Sequence, residues 1–257
     1  QGRYDSSMVY YRQAAAAYKA SAQNTTRQKD AQPVWAQYYI AVTEAEWHAH
    51  LAGVGDSARF TLEALLPEAT TRLGEVHRSV AEIYNALGKI CRERGEYELA
   101  LKYHRKTRDL REQMLGPGHI DVVRSYGNIG SVYHYLGRYK LAIEHYQEAL
   151  KQFEAKVGPR HPLIAAVCNL MAVTYLNMGR HDEALAANQR CLTLMLEQFG
   201  PNHREIAGCY LNIGQVYTAK GDYDRALDYQ NRSLKLMLQW AGEKRPEVAE
   251  LYKNMGI

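Results

Sequence analysis

Long apolar runs, charge of one sign and catalytic signatures are all missing from this 257-residue chain. No stretch approaches about 18 uncharged apolar residues, so no membrane span is expected. The 32 Lys and Arg nearly balance the 28 Asp and Glu, leaving a formal charge of +4. Bases alternate with acids, as in RERGEYE at 92–98. That excludes a charged tail, and with a pI near 8.7 it argues against nucleic acid as a partner. There is no GxSxG, no Walker A loop, no HExxH and no GxGxxG opening a helix, so no enzyme is expected. Glu96 and Glu98 form a carboxylate pair, but they lie beside the turn residue Gly95, where solvated charge is ordinary.

Cysteine is scarce too. Cys91, Cys168, Cys191 and Cys209 form no CxxC pair and match no zinc spacing, so they read as buried free thiols in a reducing compartment. No metal and no cofactor is expected. The sequons at Asn24 and Asn231 read as chance matches. No initiator Met and no charged-then-apolar leader is seen, which reads as a processed chain or a piece of a longer one. Phenylalanine is nearly absent: three Phe stand against 20 Tyr. A core that prefers Tyr needs many ring hydroxyls satisfied or wet. At 46% hydrophobic residues the chain can still bury a core.

What is present is a repeat of 42 residues, in register from about residue 32. One column reads Gly53, Gly95, Gly137, Gly179, Gly221, followed five residues later by Ala58, Ala100, Ala142, Ala184, Ala226. Another reads Gly74, Gly116, Gly158, Gly200, Gly242, and a fourth Gly88, Gly130, Ala172, Gly214, Gly256. Each row carries two helical faces. In row 117–158, Tyr126, Ile129, Gly130 and Tyr133 share one face, Gly137 interrupts, and Ala142, Tyr146, Ala149, Leu150, Phe153 and Val157 form the second. Gly158-Pro159 then separates it from the next row. Small residues at Gly130 and Ala142 would let paired helices approach closely, and Leu at either should splay them.

The predicted fold is all-α, one α-solenoid over 1–257 wound as a right-handed superhelix. Full rows are 33–74, 75–116, 117–158, 159–200 and 201–242. Residues 1–32 read as the second helix of a truncated repeat plus a polar stretch, which is either a loop or a lengthened helix. Residues 243–257 read as the first helix of another truncated repeat. Sixteen of the 20 tyrosines fall on five repeat columns and read as packing residues. Tyr135 is the one placed toward a groove.

The spacing of Tyr126, Ile129, Gly130, Tyr133, Ala142, Tyr146 and Ala149 resembles the tetratricopeptide repeat, lengthened from its usual 34 residues. The loops LGPGH (115–119), VGPRHP (157–162) and FGPNH (199–203), with YGNIGSVY, CNLMAVTY and YLNIGQVY, resemble the repeats of kinesin light chains. The resemblance covers about 75–257 and is weaker over 33–74, where Trp35, Trp47 and Pro67 fit no column. It implies a non-catalytic scaffold whose first helices line a groove for an extended peptide, often acidic with a Trp. It implies cytoplasmic, cytoskeleton-associated work on cargo adaptors. Contact with kinesin heavy chain would need a coiled coil that these residues do not include. The sensor arm of a signalling ATPase and a constitutive structural subunit are the rival expectations.

By that resemblance the inward-facing set includes Asn85, Lys89, Arg92, Arg124, Asn128, His134, Tyr135, Asn169, Leu170, Val173, Leu176, Asn212 and Asn254. Lys89, Arg92 and Arg124, joined by His134 if protonated, would meet acidic residues. Leu170, Val173 and Leu176 would take an apolar anchor, or else pack on a neighbouring row. The asparagines, with donors and an acceptor on each amide, would grip peptide backbone. His77, His119, His161 and His203 recur at the loop, too far apart for a shared metal, and are expected to fix the loop by hydrogen bonds.

Overall fold

A computed structural model describes residues 2–25, 28–53 and 57–241. They form eleven helices and no strand among the described residues: α1 (Gly2–Gln23), α2 (Gln28–Leu51), α3 (Ala58–Leu73), α4 (Arg78–Glu93), α5 (Tyr97–Leu115), α6 (Ile120–Tyr135), α7 (Tyr139–Val157), α8 (Pro162–Asn177), α9 (His181–Phe199), α10 (Arg204–Lys220) and α11 (Tyr223–Ala241). From α4 onward, first helices of 16 or 17 residues alternate with second helices of 19. This is the helix, turn and longer helix expected from the rows.

Two loop glycines explain the register. Gly116 ends α5 at φ +76°, and its N–H donates to the Glu112 carbonyl. Gly221 ends α10 at φ +78° in the left-handed region, which side chains with a Cβ rarely adopt. The starts of the four rows from 75 onward are fixed by histidine, as the next section describes.

The chain divides into two compact units, Gln1–Leu136 and Gly137–Ile257. In the first, α2 packs on α1, α3 and α4, α3 packs on α4, and α5 packs on α4 and α6. In the second, α7 packs on α8, α8 on α9, α9 on α10 and α10 on α11. α3, α5 and α9 therefore each touch the first helices of two successive rows, which is how a repeat lacking its own closed core buries one.

The small-residue column has the role its register suggests. Gly88 faces the ring of His104, so closely that a Cβ there would lie 2.6 Å from ring atoms. Gly214 faces Gln230 and the Ala226 carbonyl, where a Cβ would lie 3.2–3.3 Å away. His104 and Gln230 are both buried, as are their row equivalents Leu62, Tyr146 and Asn188.

Of the polar stretch at 21–32, residues 21–23 and 28–32 are helical. α2 begins at Gln28 and runs 24 residues with Pro33 inside it. Ala31, Trp35 and Tyr39 are buried, and the Trp35 and Tyr39 rings stack at 6.1 Å. Trp35 also receives the Arg72 guanidinium at 4.0 Å. The Trp that fits no column is thus a core residue of the enlarged first-helix layer. Three column tyrosines depart from the packing role: Tyr4, Tyr10 and Tyr223 are 39%, 67% and 70% exposed. Tyr103 keeps it, donating its hydroxyl to Glu63 at 2.8 Å.

Candidate functional site

The four loop histidines are helix N-caps. Each has extended backbone, and each Nδ1 accepts the N–H two residues on: Ser79 to His77 at 3.1 Å, Asp121 to His119 at 3.2 Å, Leu163 to His161 and Glu205 to His203 at 3.3 Å. A first-turn N–H without an intrahelical partner is thereby satisfied by an imidazole in place of the usual hydroxyl or carboxylate. The loop-fixing hydrogen bond is present in every row that carries the histidine. Burial lowers the His77 pKa, which keeps its ring in the neutral, accepting form.

In the first unit, α4 presents Asn85, Lys89 and Arg92, and α6 presents Arg124, Asn128, His134 and Tyr135. The asparagines are joined to each other. Asn128 Nδ2 donates to Asn85 Oδ1 at 3.1 Å, while Asn85 is buried and directs its own Nδ2 at Glu82, 3.5 Å away. In the second unit, Asn212 Nδ2 donates to Asn169 Oδ1 at 2.6 Å. One acceptor and one donor of each pair thereby tie successive first helices together. Sequence columns separated these residues; their cross-row offset of 43 residues is what makes them neighbours.

Lys89 is half-buried, and its ammonium lies 5.1 Å from the Trp47 ring centroid. Desolvation lowers its pKa, opposed by the negative charges of Glu44 and Glu82. Arg92 pairs with Glu93 at 2.5 Å and lies 5.9 Å from the Tyr135 ring centroid. Tyr135 is 58% exposed and lies parallel to Tyr97 at 6.1 Å, with His134 edge-on at 5.7 Å. Arg124 is exposed and forms only a surface pair with Asp121 at 3.4 Å. Burial lowers the His134 pKa, so this ring does not join the basic set near neutral pH. The first-unit face is thus a cation and aromatic surface, to which sequence reasoning had not assigned Trp47 or Tyr97.

On α8, Val173 is 38% exposed, and Leu170 and Leu176 are half-buried. Asn254 lies outside the described residues. Glu96 is taken up by ion pairs with Arg59 at 2.9 Å and Arg94 at 3.0 Å.

One residue that column reasoning missed organises the first unit. Arg111 is 6% exposed and donates to the Asp121 carbonyl, the Ser125 hydroxyl and the Glu82 carboxylate at 2.9–3.1 Å. It thereby links α4, α5 and α6. Its column otherwise holds Ala69, Phe153, Met195 and Met237, so nothing in the row pattern marked a charge there.

Helix pairs in 42-residue register, a column of small residues and an imidazole cap on four successive first helices define a helical repeat protein. The tetratricopeptide repeat model matches residues 79–155, 121–197, 163–239 and 205–257, successive starts falling 42 apart, and the chain belongs to that family. The family is a protein–protein interaction scaffold, and its fold is generally non-catalytic. Among solved structures, BtubC (BKLC) from P. vanneervenii is similar at a TM-score of 0.75 and 18% identity, covering 93% of this chain and 92% of its own. A Podosopora anserina protein described as a kinesin light chain with nearly identical TPR-like repeats is similar at 0.66 and 16%, covering 79% and 96%. MamA is similar at 0.51 and 20%, covering 75% and 94%. At these identities the likeness concerns the fold. No curated protein matches significantly in sequence. No helix among the described residues is long and apolar enough to cross a membrane.

Proposed function

We propose that the chain binds an extended peptide of a partner protein along the exposed faces of its first helices, and that the peptide is acidic with an apolar or aromatic anchor. The observation that carries this is the first-unit surface: Lys89 beside Trp47, and Arg92 beside the exposed Tyr135 and its partner Tyr97. Cations set against aromatic faces attract both carboxylates and rings in a partly desolvated site. The paired amides contribute what remains after their mutual bond, one further acceptor or donor per residue for peptide backbone. Leu170, Val173 and Leu176 supply an apolar surface on the second unit, with Val173 the most exposed of the three. The finer reading is recognition of a cargo adaptor in the cytoplasm, in the manner the kinesin-light-chain resemblance implies.

A fluorescence-anisotropy titration with an acidic, Trp-bearing peptide and its scrambled form tests the proposal. Each half has its own substitution. Arg124→Glu is expected to weaken the acidic peptide roughly fivefold, with the loss shrinking as salt rises. Val173→Asp is expected to weaken it roughly tenfold or more. Unchanged affinity in both variants overturns the assignment.

A further inference from the structure

Three of the four cysteines lie in the second unit, and two of them touch. Cys191 on α9 and Cys209 on α10 bring their Sγ atoms within 3.7 Å, and both are buried at 5–6% exposure. All four cysteines are free thiols. α9 closes row 159–200 and α10 opens row 201–242, so the contact sits on the joint between successive rows. The same joint carries the Asn212–Asn169 bond between α10 and α8.

We propose that Cys191 and Cys209 form a redox site, a dithiol that a hydroperoxide converts to a disulfide stapling the two rows together. The sulfur atoms must close by about 1.7 Å to reach bonding distance, a movement on the scale of side-chain rotation plus a small helix adjustment. The chemistry balances with the peroxide as the only co-reactant. One thiol of the pair ionises and its thiolate attacks an oxygen of hydrogen peroxide; the O–O bond breaks, and the departing hydroxide takes up the released thiol proton and leaves as water, giving a sulfenic acid. The sulfur of the second cysteine then attacks the sulfenic sulfur, the S–O bond breaks, and a second water leaves with the second thiol's proton. Two thiols lose two electrons and the peroxide gains them. The contact favours the first step: the S–H of either cysteine can stabilise a thiolate on the sulfur it faces.

The test is direct mapping on the unmodified chain. The protein is treated with hydrogen peroxide under native conditions, remaining thiols are blocked with N-ethylmaleimide, and a non-reducing digest is read by mass spectrometry. A Cys191–Cys209 linked peptide is expected, reversed by dithiothreitol, while Cys91 and Cys168 are recovered blocked. Amide exchange across the α9–α10 joint should slow at least tenfold in the oxidised form. Cys209→Ala should abolish the link, and Cys91→Ala should leave it. Recovery of both cysteines blocked, their over-oxidation to sulfinic acid without a link, or a link from Cys191 to Cys168 each overturns the proposal. The wild-type map does not depend on any variant folding.

Discussion

Gly88 and His104 are one packing decision made by two residues, and replacing them separately and together exposes it. A Cβ at Gly88 would lie 2.6 Å from two ring atoms of His104 and 2.8 Å from a third. His104 is fully buried, so the ring has nowhere open to move. Alanine improves helix propensity by about 1 kcal/mol over glycine. Overpacking a rigid contact costs about 1–3 kcal/mol, and this distance places the cost at the upper end. Gly88→Ala should therefore destabilise by about 2 kcal/mol net, a fall in Tm of about 4–8 °C for a chain of this size. Row 159–200 displays a solution. It is the row with Ala172 in the small column, and it carries the short Asn188 in the facing column. Gly88→Ala combined with His104→Asn should recover most of the loss, with a coupling of about 2 kcal/mol in a double-mutant cycle. Urea denaturation followed by circular dichroism measures all four chains. Additive effects within about 0.5 kcal/mol would refute the contact as the source.

His104 also makes a pH prediction. Neither ring nitrogen has a hydrogen-bond partner, and burial, with Arg92, Lys89 and Arg111 nearby, pushes its pKa down to about 3. A folded pKa below the unfolded one gives stability that is whole above about pH 6.5 and is lost as pH falls below it. Between pH 6.5 and 5 this one group should cost about 2 kcal/mol. His104→Asn should flatten that limb in denaturation midpoints taken at both pH values, and an unchanged limb would exclude His104 as its source. His119→Ala should lose about 1 kcal/mol by removing a cap, whereas His119→Asp should hold stability, because a carboxylate accepts the same N–H and favours the helix start; thermal melts distinguish them. Arg111→Met should lose about 2–3 kcal/mol, since it strips charge-assisted bonds from Glu82 and leaves the Asp121 carbonyl and Ser125 to find other partners. A loss under about 0.5 kcal/mol would show that the apolar column residue serves equally well there.

The repeat was legible because its signals are local and periodic. Gly116 and Gly221 mark turns through their own backbone conformation, and the histidines cap through a bond to a residue two positions on, so spacing alone carries both. The site was less legible because its chemistry runs across rows. Asn85 and Asn169 share one column, and Asn128 and Asn212 share the next, so reading down columns suggested four like residues facing a ligand. The relevant partner lies one row and one position away, where a helix meets the following first helix and not its own equivalent. Tyr97 and Tyr135 also join between helices at an offset that is not the row period, whereas Lys89 and Trp47 are row equivalents whose contact rests on their different chemistry. Arg111 was hidden for the opposite reason. It occupies a column where its equivalents are apolar, and only the three acceptors around it justify a buried charge. Departures from the repeat therefore carry the individuality of this chain, while agreement with it carries the architecture. On that reasoning Arg111, Tyr135 and the Cys191–Cys209 contact are better guides to what distinguishes this scaffold than any residue the columns share.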